Sequence, residues 1–173
     1  MLNKNITTRG LALAILFAAQ SGVAQANETP INGTVQSRCI IQTDAAGTFG
    51  NPNAYTLTTA SASGGEDAVI RIDVTLANSY YAEITAPSEF SSSPTLPDQV
   101  TWTGDTEVKT VSDSTTMGAY ESGKVELGMM DRYDLTATGS TWFKTSSVAV
   151  MGGNKAFPGG NYTALVQADC IAK

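Results

Sequence analysis

Val69-Ile70-Arg71-Ile72-Asp73-Val74-Thr75-Leu76-Ala77 alternates apolar and polar residues without a break. Ile70, Ile72, Val74 and Leu76 share one side of an extended chain, and Arg71, Asp73 and Thr75 share the other. A period of two is the mark of a half-buried strand, and no helix buries residues at that spacing. The same period recurs at both ends of the region after residue 30. Ile31, Val35, Cys39 and Ile41 share one face of a predicted first strand, with Gly33 and Ser37 at the small positions between them. Tyr162, Ala164, Val166, Ala168 and Cys170 share one face of a predicted last strand. Shorter strands are predicted at 55–59, 80–86, 99–103, 107–111, 124–130, 133–137 and 141–148. Turn-forming stretches separate them: Gly50-Asn51-Pro52-Asn53, Ser63-Gly64-Gly65, Leu96-Pro97-Asp98, Gly152-Gly153-Asn154 and Phe157-Pro158-Gly159-Gly160. Many short strands at this spacing predict an all-β chain folded as an immunoglobulin-like antiparallel β-sandwich.

The N-terminus reads as a cleavable signal peptide over residues 1–26. Lys4 and Arg9 precede the apolar run Leu11 to Ala19, and Ala24-Gln25-Ala26 has the small-x-small form a signal peptidase accepts. The run is too short to span a bilayer, which takes roughly 20 apolar residues. Removing residues 1–26 from the 173 leaves 147, enough for one domain with a real core. The expected organisation is an N-terminal segment at 27–37 followed by one β-sandwich domain at 38–173. The segment removed carries Lys4 and Arg9 and no acid, so 8 basic and 16 acidic residues remain, a net of −8. Such a surface repels phosphate backbones and anionic lipid, which argues against nucleic-acid binding and against membrane insertion or association.

Cys39 and Cys170 are the two cysteines of the chain and lie near the ends of the expected domain, each on the apolar side of its strand. In an oxidising compartment such a pair reads as a disulfide. Closing a loop of about 130 residues stabilises a fold by about 4 to 5 kcal/mol in the chain-entropy model. Two free thiols, or a bond to another chain, are the alternatives.

Little points to catalysis, and the chain is read as a non-enzyme. There is no histidine, so the commonest general base and the usual partner of a serine or cysteine nucleophile are missing. Two cysteines without histidine do not make a zinc site. The acidic pairs Glu66-Asp67 and Asp131 with Asp134 have the composition of a glycosidase pair, but solvated turn acids are the better reading. Asp98 with Asp105, or Asp131 with Asp134, offers calcium two ligands each, too few for a site. No metal and no cofactor is expected. Trp102 and Trp142 are the candidate ligand-binding residues, since an exposed indole stacks on sugar rings, with core packing as the plainer role.

The stretch Ala137-Thr138-Gly139-Ser140-Thr141-Trp142-Phe143, then Gly152-Gly153-Asn154-Lys155, then Phe157-Pro158-Gly159-Gly160-Asn161-Tyr162-Thr163-Ala164-Leu165-Val166, resembles the end of chaperone-usher fibre subunits. Pilin-like, capsular-fibre-like and spore-coat-like proteins share this plan, in which a small-Gly-x-Tyr turn opens an alternating last strand. The resemblance covers the C-terminal third. It implies a sandwich missing one strand, which a neighbour's N-terminal segment supplies by β-strand addition. The donor-strand candidates are then Thr29, Ile31, Gly33 and Val35, on one face of the 27–37 segment, with Gly33 suited to a tight position. The implied partners are copies of the chain or related subunits, a periplasmic chaperone and an usher. The implied route is through the periplasm of a Gram-negative-type bacterium to the surface, as a pilus or fibre subunit in adhesion or biofilm. The alternative function is a self-contained secreted binding domain for glycan or protein ligands.

The cysteines constrain this picture. Strands on either side of a missing one lie about 9 to 10 Å apart, whereas a disulfide holds Cα atoms within about 4.4 to 6.8 Å. Cys39 and Cys170 can therefore bond where their strands converge at a sheet end, across the two sheets, or in a domain that lacks no strand.

Overall fold

The computed structural model describes residues 34–173; the predicted signal peptide and the donor candidates Thr29, Ile31 and Gly33 lie outside them. Ten strands are assigned among the described residues: β1 (Cys39–Ala45), β2 (Gly50–Asn53), β3 (Thr56–Thr58), β4 (Ala68–Val74), β5 (Tyr80–Thr85), β6 (Val100–Val111), β7 (Val125–Leu127), β8 (Met130–Leu135), β9 (Gly139–Met151) and β10 (Gln167–Ala172). They form two antiparallel sheets packed as a sandwich. In one sheet the long β9 is the centre: β6 pairs along one side, while β4 and then β3 pair along the other, with β1 outside β4 and β2 outside β3. The second sheet runs β10-β5-β8-β7.

Alternation along the central strands builds the core. The odd residues of β9 from Thr141 to Met151 are buried and the even ones are half-buried. In β8, Asp131, Tyr133 and Leu135 point inward while Asp134 is exposed. Tyr133 and Phe143, both fully buried, meet across the sheets with ring centroids 4.6 Å apart. Ile70, Ile72 and Val74 pack beside them from β4, the strand read most directly from the sequence. Leu76 lies past the end of β4 and is exposed. The long connection after β6 folds back as a plug: Met117 and Tyr120 are buried, and the Tyr120 hydroxyl accepts the Ala137 N–H at 3.0 Å.

The structure departs from the sequence reading in several places. Strand β1 begins at Cys39 and continues to Ala45, whereas Val35 and Ser37, expected within it, are exposed and outside any strand. The last strand starts at Gln167; Tyr162, Ala164 and Val166 keep their alternation in a segment that pairs only locally, Ser92 with Thr163. The predicted strands 99–103 and 107–111 are one strand, β6. Gly50–Asn53, expected as a turn, is the edge strand β2. An edge tolerates Pro52, and Gly50 is needed there because a Cβ would collide with the Ser63 carbonyl.

Candidate functional site: an open flank between β1 and β10

The two sheets end on the same side in β1 and β10, and Cys39 is bonded to Cys170 across that side with Cα atoms 6.3 Å apart. The distance falls within the usual disulfide range. The bond links the sheets, one of the three arrangements the sequence allowed. A bridge of this kind belongs to an oxidising, extracytoplasmic compartment. Among the described residues no helix is long and apolar enough to cross a membrane.

Register shows which way the side chains of this flank point. Residues directly opposite in an antiparallel pair share a face. Cys39 lies opposite Val74, Ile41 opposite Ile72, and Thr43 opposite Ile70, all three partners buried. The side chains of Cys39, Ile41 and Thr43 therefore face the interior. Ile41 is nevertheless 38% exposed, whereas Ile72 beside it is 1% exposed. On the other sheet Ala168 lies opposite Ile84 and Cys170 opposite Ala82, and both partners are fully buried. Val166, Ala168 and Cys170 pack against the core yet are only half-buried. The interior is thus uncovered along this side.

The backbone is unpaired there as well. The Thr75 N–H donates to the Arg38 carbonyl at 3.1 Å. Alternation of the ladder then directs residues 38, 40 and 42 toward β4 and leaves the N–H and C=O groups of Cys39, Ile41 and Thr43 on the free edge. The Lys173 N–H donates to the Ser79 carbonyl at 3.0 Å, which by the same rule leaves Ala168, Cys170 and Ala172 on the free edge of β10. Neither edge has a strand partner among the described residues. Away from the disulfide the flank widens into a small cavity of about 60 Å³ lined by Ala68, Thr145, Ser147, Ala164 and Val166. Beyond it lies a cleft of about 610 Å³ between Gly47–Phe49 and Phe157–Ala164.

The opposite flank is partly capped. There β6 is an edge strand, but carboxylates occupy two of its outward N–H groups: Glu121 Oε2 accepts the Val108 N–H at 2.7 Å, and Asp131 Oδ2 accepts the Thr106 N–H at 2.8 Å. The Thr106 carbonyl accepts from the Tyr133 hydroxyl at 2.5 Å and from Lys124 Nζ at 3.2 Å. Lys124 also pairs with Asp105 at 2.7 Å. Burial pushes the Asp131 carboxyl above its ordinary range, the Thr106 N–H and Lys124 opposing that push only in part. Burial works against the Lys124 charge too, but the hydrogen bond to Asp105 and the neighbouring carboxylates hold its ammonium above its ordinary value.

The remaining sequence candidates do not converge on a chemical centre. Asp131 is buried, not a solvated turn acid, and Asp134 faces outward to pair with Lys173. Asp98 pairs with Lys155 at 3.1 Å, and Asp105 with Lys124, so the two acids are engaged separately. Asp67 accepts the Thr59 hydroxyl at 2.5 Å, and Glu66 bridges to Thr48 through its backbone. Among the described residues no group of three or more histidine, cysteine or acidic side chains is placed to hold a metal. Trp142 lies on the outer face, with the Arg71 guanidinium 5.2 Å from its ring centre. Trp102 sits at the other end of the β6–β9 ladder. It belongs to a cluster of half-buried aromatics, which the sequence reading missed, packed edge-to-face against Phe90 at 4.7 Å and Phe49 at 6.3 Å. Phe157 and Tyr162 extend the cluster to the large cleft. Val35, the one donor candidate among the described residues, is 76% exposed. No family model, curated protein or solved structure matches this chain.

Proposed function

We propose that the chain is a secreted structural subunit of an extracellular pilus or fibre, polymerised by β-strand exchange. In this reading the domain is an immunoglobulin-like sandwich lacking one strand, and the flank between β1 and β10 accepts residues 27–37 of a neighbour. The observation that carries it is Ile41: its side chain faces the core and is left 38% exposed, beside two backbone edges with no strand on them among the described residues. An added strand would pair with the edges on the open side of the disulfide, at Ile41 and Thr43 and at Ala168, and cover that surface, since main-chain bonds supply affinity and alternate side chains supply fit. The signal peptide read at 1–26 and the disulfide suit export through the periplasm, with a chaperone holding the open flank until an usher assembles the fibre. Deleting residues 27–35 from the secreted chain is expected to leave a folded monomer that no longer assembles. Undiminished assembly of that variant, followed by size-exclusion chromatography and electron microscopy, would refute the proposal.

A second reading is supported by the aromatic cluster beside the 610 Å³ cleft. There the domain is self-contained and binds glycan or protein ligands through half-exposed rings, Trp102 among them. Binding on a glycan array that is lost in Trp102→Ala, with folding intact, would favour it over the fibre reading.

A further inference from the structure

Resting on the reading of the β1–β10 flank as an acceptor, we propose that the Cys39–Cys170 disulfide prevents a subunit from inserting its own N-terminal segment. The bond thereby reserves the flank for the segment of a second copy. A strand hydrogen-bonded to both edges holds them about 9 to 10 Å apart. At Cys39 and Cys170 the Cα atoms are 6.3 Å apart, so no strand passes between them. The flank is therefore blind at the disulfide and open only at the Gly47 and Ala164 end, where the cavities lie.

The chain's own segment is attached at the blind end. Gln36 and Arg38 continue the line of β1 past the disulfide, held by Thr75: its hydroxyl donates to the Gln36 carbonyl at 3.2 Å and accepts the Arg38 N–H at 2.9 Å. To pair with β1 directly, the segment would have to turn back and lie beside Cys39, where Cys170 already stands. To enter from the open end it would first have to run the length of β1 to Gly47. An extended chain covers at most about 3.3 to 3.6 Å per residue, so residues 27–38 reach about 40 Å. The run to Gly47 takes about 26 Å of that, leaving about four residues to insert, too few to place Thr29 through Val35. A neighbour's segment is tethered elsewhere and meets neither obstacle.

The test compares the oxidised mature chain, residues 27–173, with Cys39→Ser/Cys170→Ser, by hydrogen exchange on the monomer and light scattering of assembly at about 10 μM. A short tether supplies an effective concentration near millimolar. Once the block is gone, self-insertion should therefore outcompete a neighbour by about 100-fold. The expected result is that residues 29–35 exchange freely in the oxidised monomer, become protected in the double-serine monomer, and that assembly of the variant falls by a similar factor. Protection of 29–35 in the oxidised monomer would overturn the proposal, as would a folded variant that assembles at the native rate with that segment unprotected. If the variant does not fold, exchange on the oxidised monomer decides alone. A labelled peptide of residues 27–37 added to the oxidised chain separates the two ideas: its failure to bind counts against the acceptor reading itself.

Discussion

Ile41 and Ile72 stand opposite one another in the same ladder with their side chains on the same face, and only their surroundings differ. Ile72 is enclosed by the core, so Ile72→Ala leaves a cavity and should cost about 2 to 5 kcal/mol. Ile41 is 38% exposed. Full burial of such a side chain contributes about 1.5 to 3 kcal/mol, of which a little over half is realised here, and Ala retains part of that. Water fills the vacated space, so no closed cavity adds to the loss. Ile41→Ala should therefore cost the monomer only about 1 kcal/mol. The assay is urea unfolding of each purified monomer, with midpoints compared at a common slope. In the proposed assembly an inserted strand would also bury Ile41, so the variant should dissociate roughly tenfold more readily, the equivalent of about 1.4 kcal/mol. Equal losses for Ile41→Ala and Ile72→Ala in the monomer would mean that the flank is closed in solution, and the acceptor argument would fail with it.

Other outcomes follow from the capped stretch of β6 and the core. The carboxyl of Asp131 is raised by burial, so the folded state binds its proton more readily than the unfolded chain does. This group's penalty is therefore present above its folded value and relieved as pH falls through the window down to the ordinary carboxylate range. Asp131→Asn, which keeps an acceptor for the Thr106 N–H, should be at least as stable at neutral pH; native protein should gain on it as pH falls, read from unfolding midpoints between pH 7 and 4. Phe143→Ala, at a fully buried position against Tyr133, should cost about 3 to 5 kcal/mol and lower the thermal midpoint.

The strands that were legible in the sequence are those whose two faces meet different surroundings. In β4 and β9 one face is core and the other is half-exposed, so composition alternates visibly. The stretch Ile31 to Ser37 alternates as well, but its described part, Val35 and Ser37, has no sheet beside it, and a period of two only records what a strand would bury. Gly104 interrupts the pattern of β6 because Ala86 packs tightly against its Cα, a contact between distant segments with no local trace. The cysteines could be placed on core-facing positions from sequence, yet that their bond crosses between the sheets depends on strand order, which periodicity does not contain. The aromatic cluster was hidden for the same reason: Phe49, Phe90, Trp102, Phe157 and Tyr162 come from separate connections and strands. The capping of β6 by Glu121 depends on how the 112–124 plug folds back, and that by Asp131 on how β8 packs across from β6; Asp131 was singled out in the sequence only as a solvated turn acid, because its burial depends on those distant contacts.

The capped stretch of β6 bears on how copies of the proposed subunit would meet. With its outward N–H groups at Thr106 and Val108 already taken by carboxylates, that side offers an approaching strand no donors at those positions, and a second chain gains little by lying there. In the proposed fibre this disfavours strand addition at Thr106 and Val108 and leaves the β1–β10 flank as the acceptor. Subunits of the proposed fibre, with one acceptor flank and one segment to give, would join end to end, and the capped stretch of β6 would help to keep a strand from adding on the wrong side.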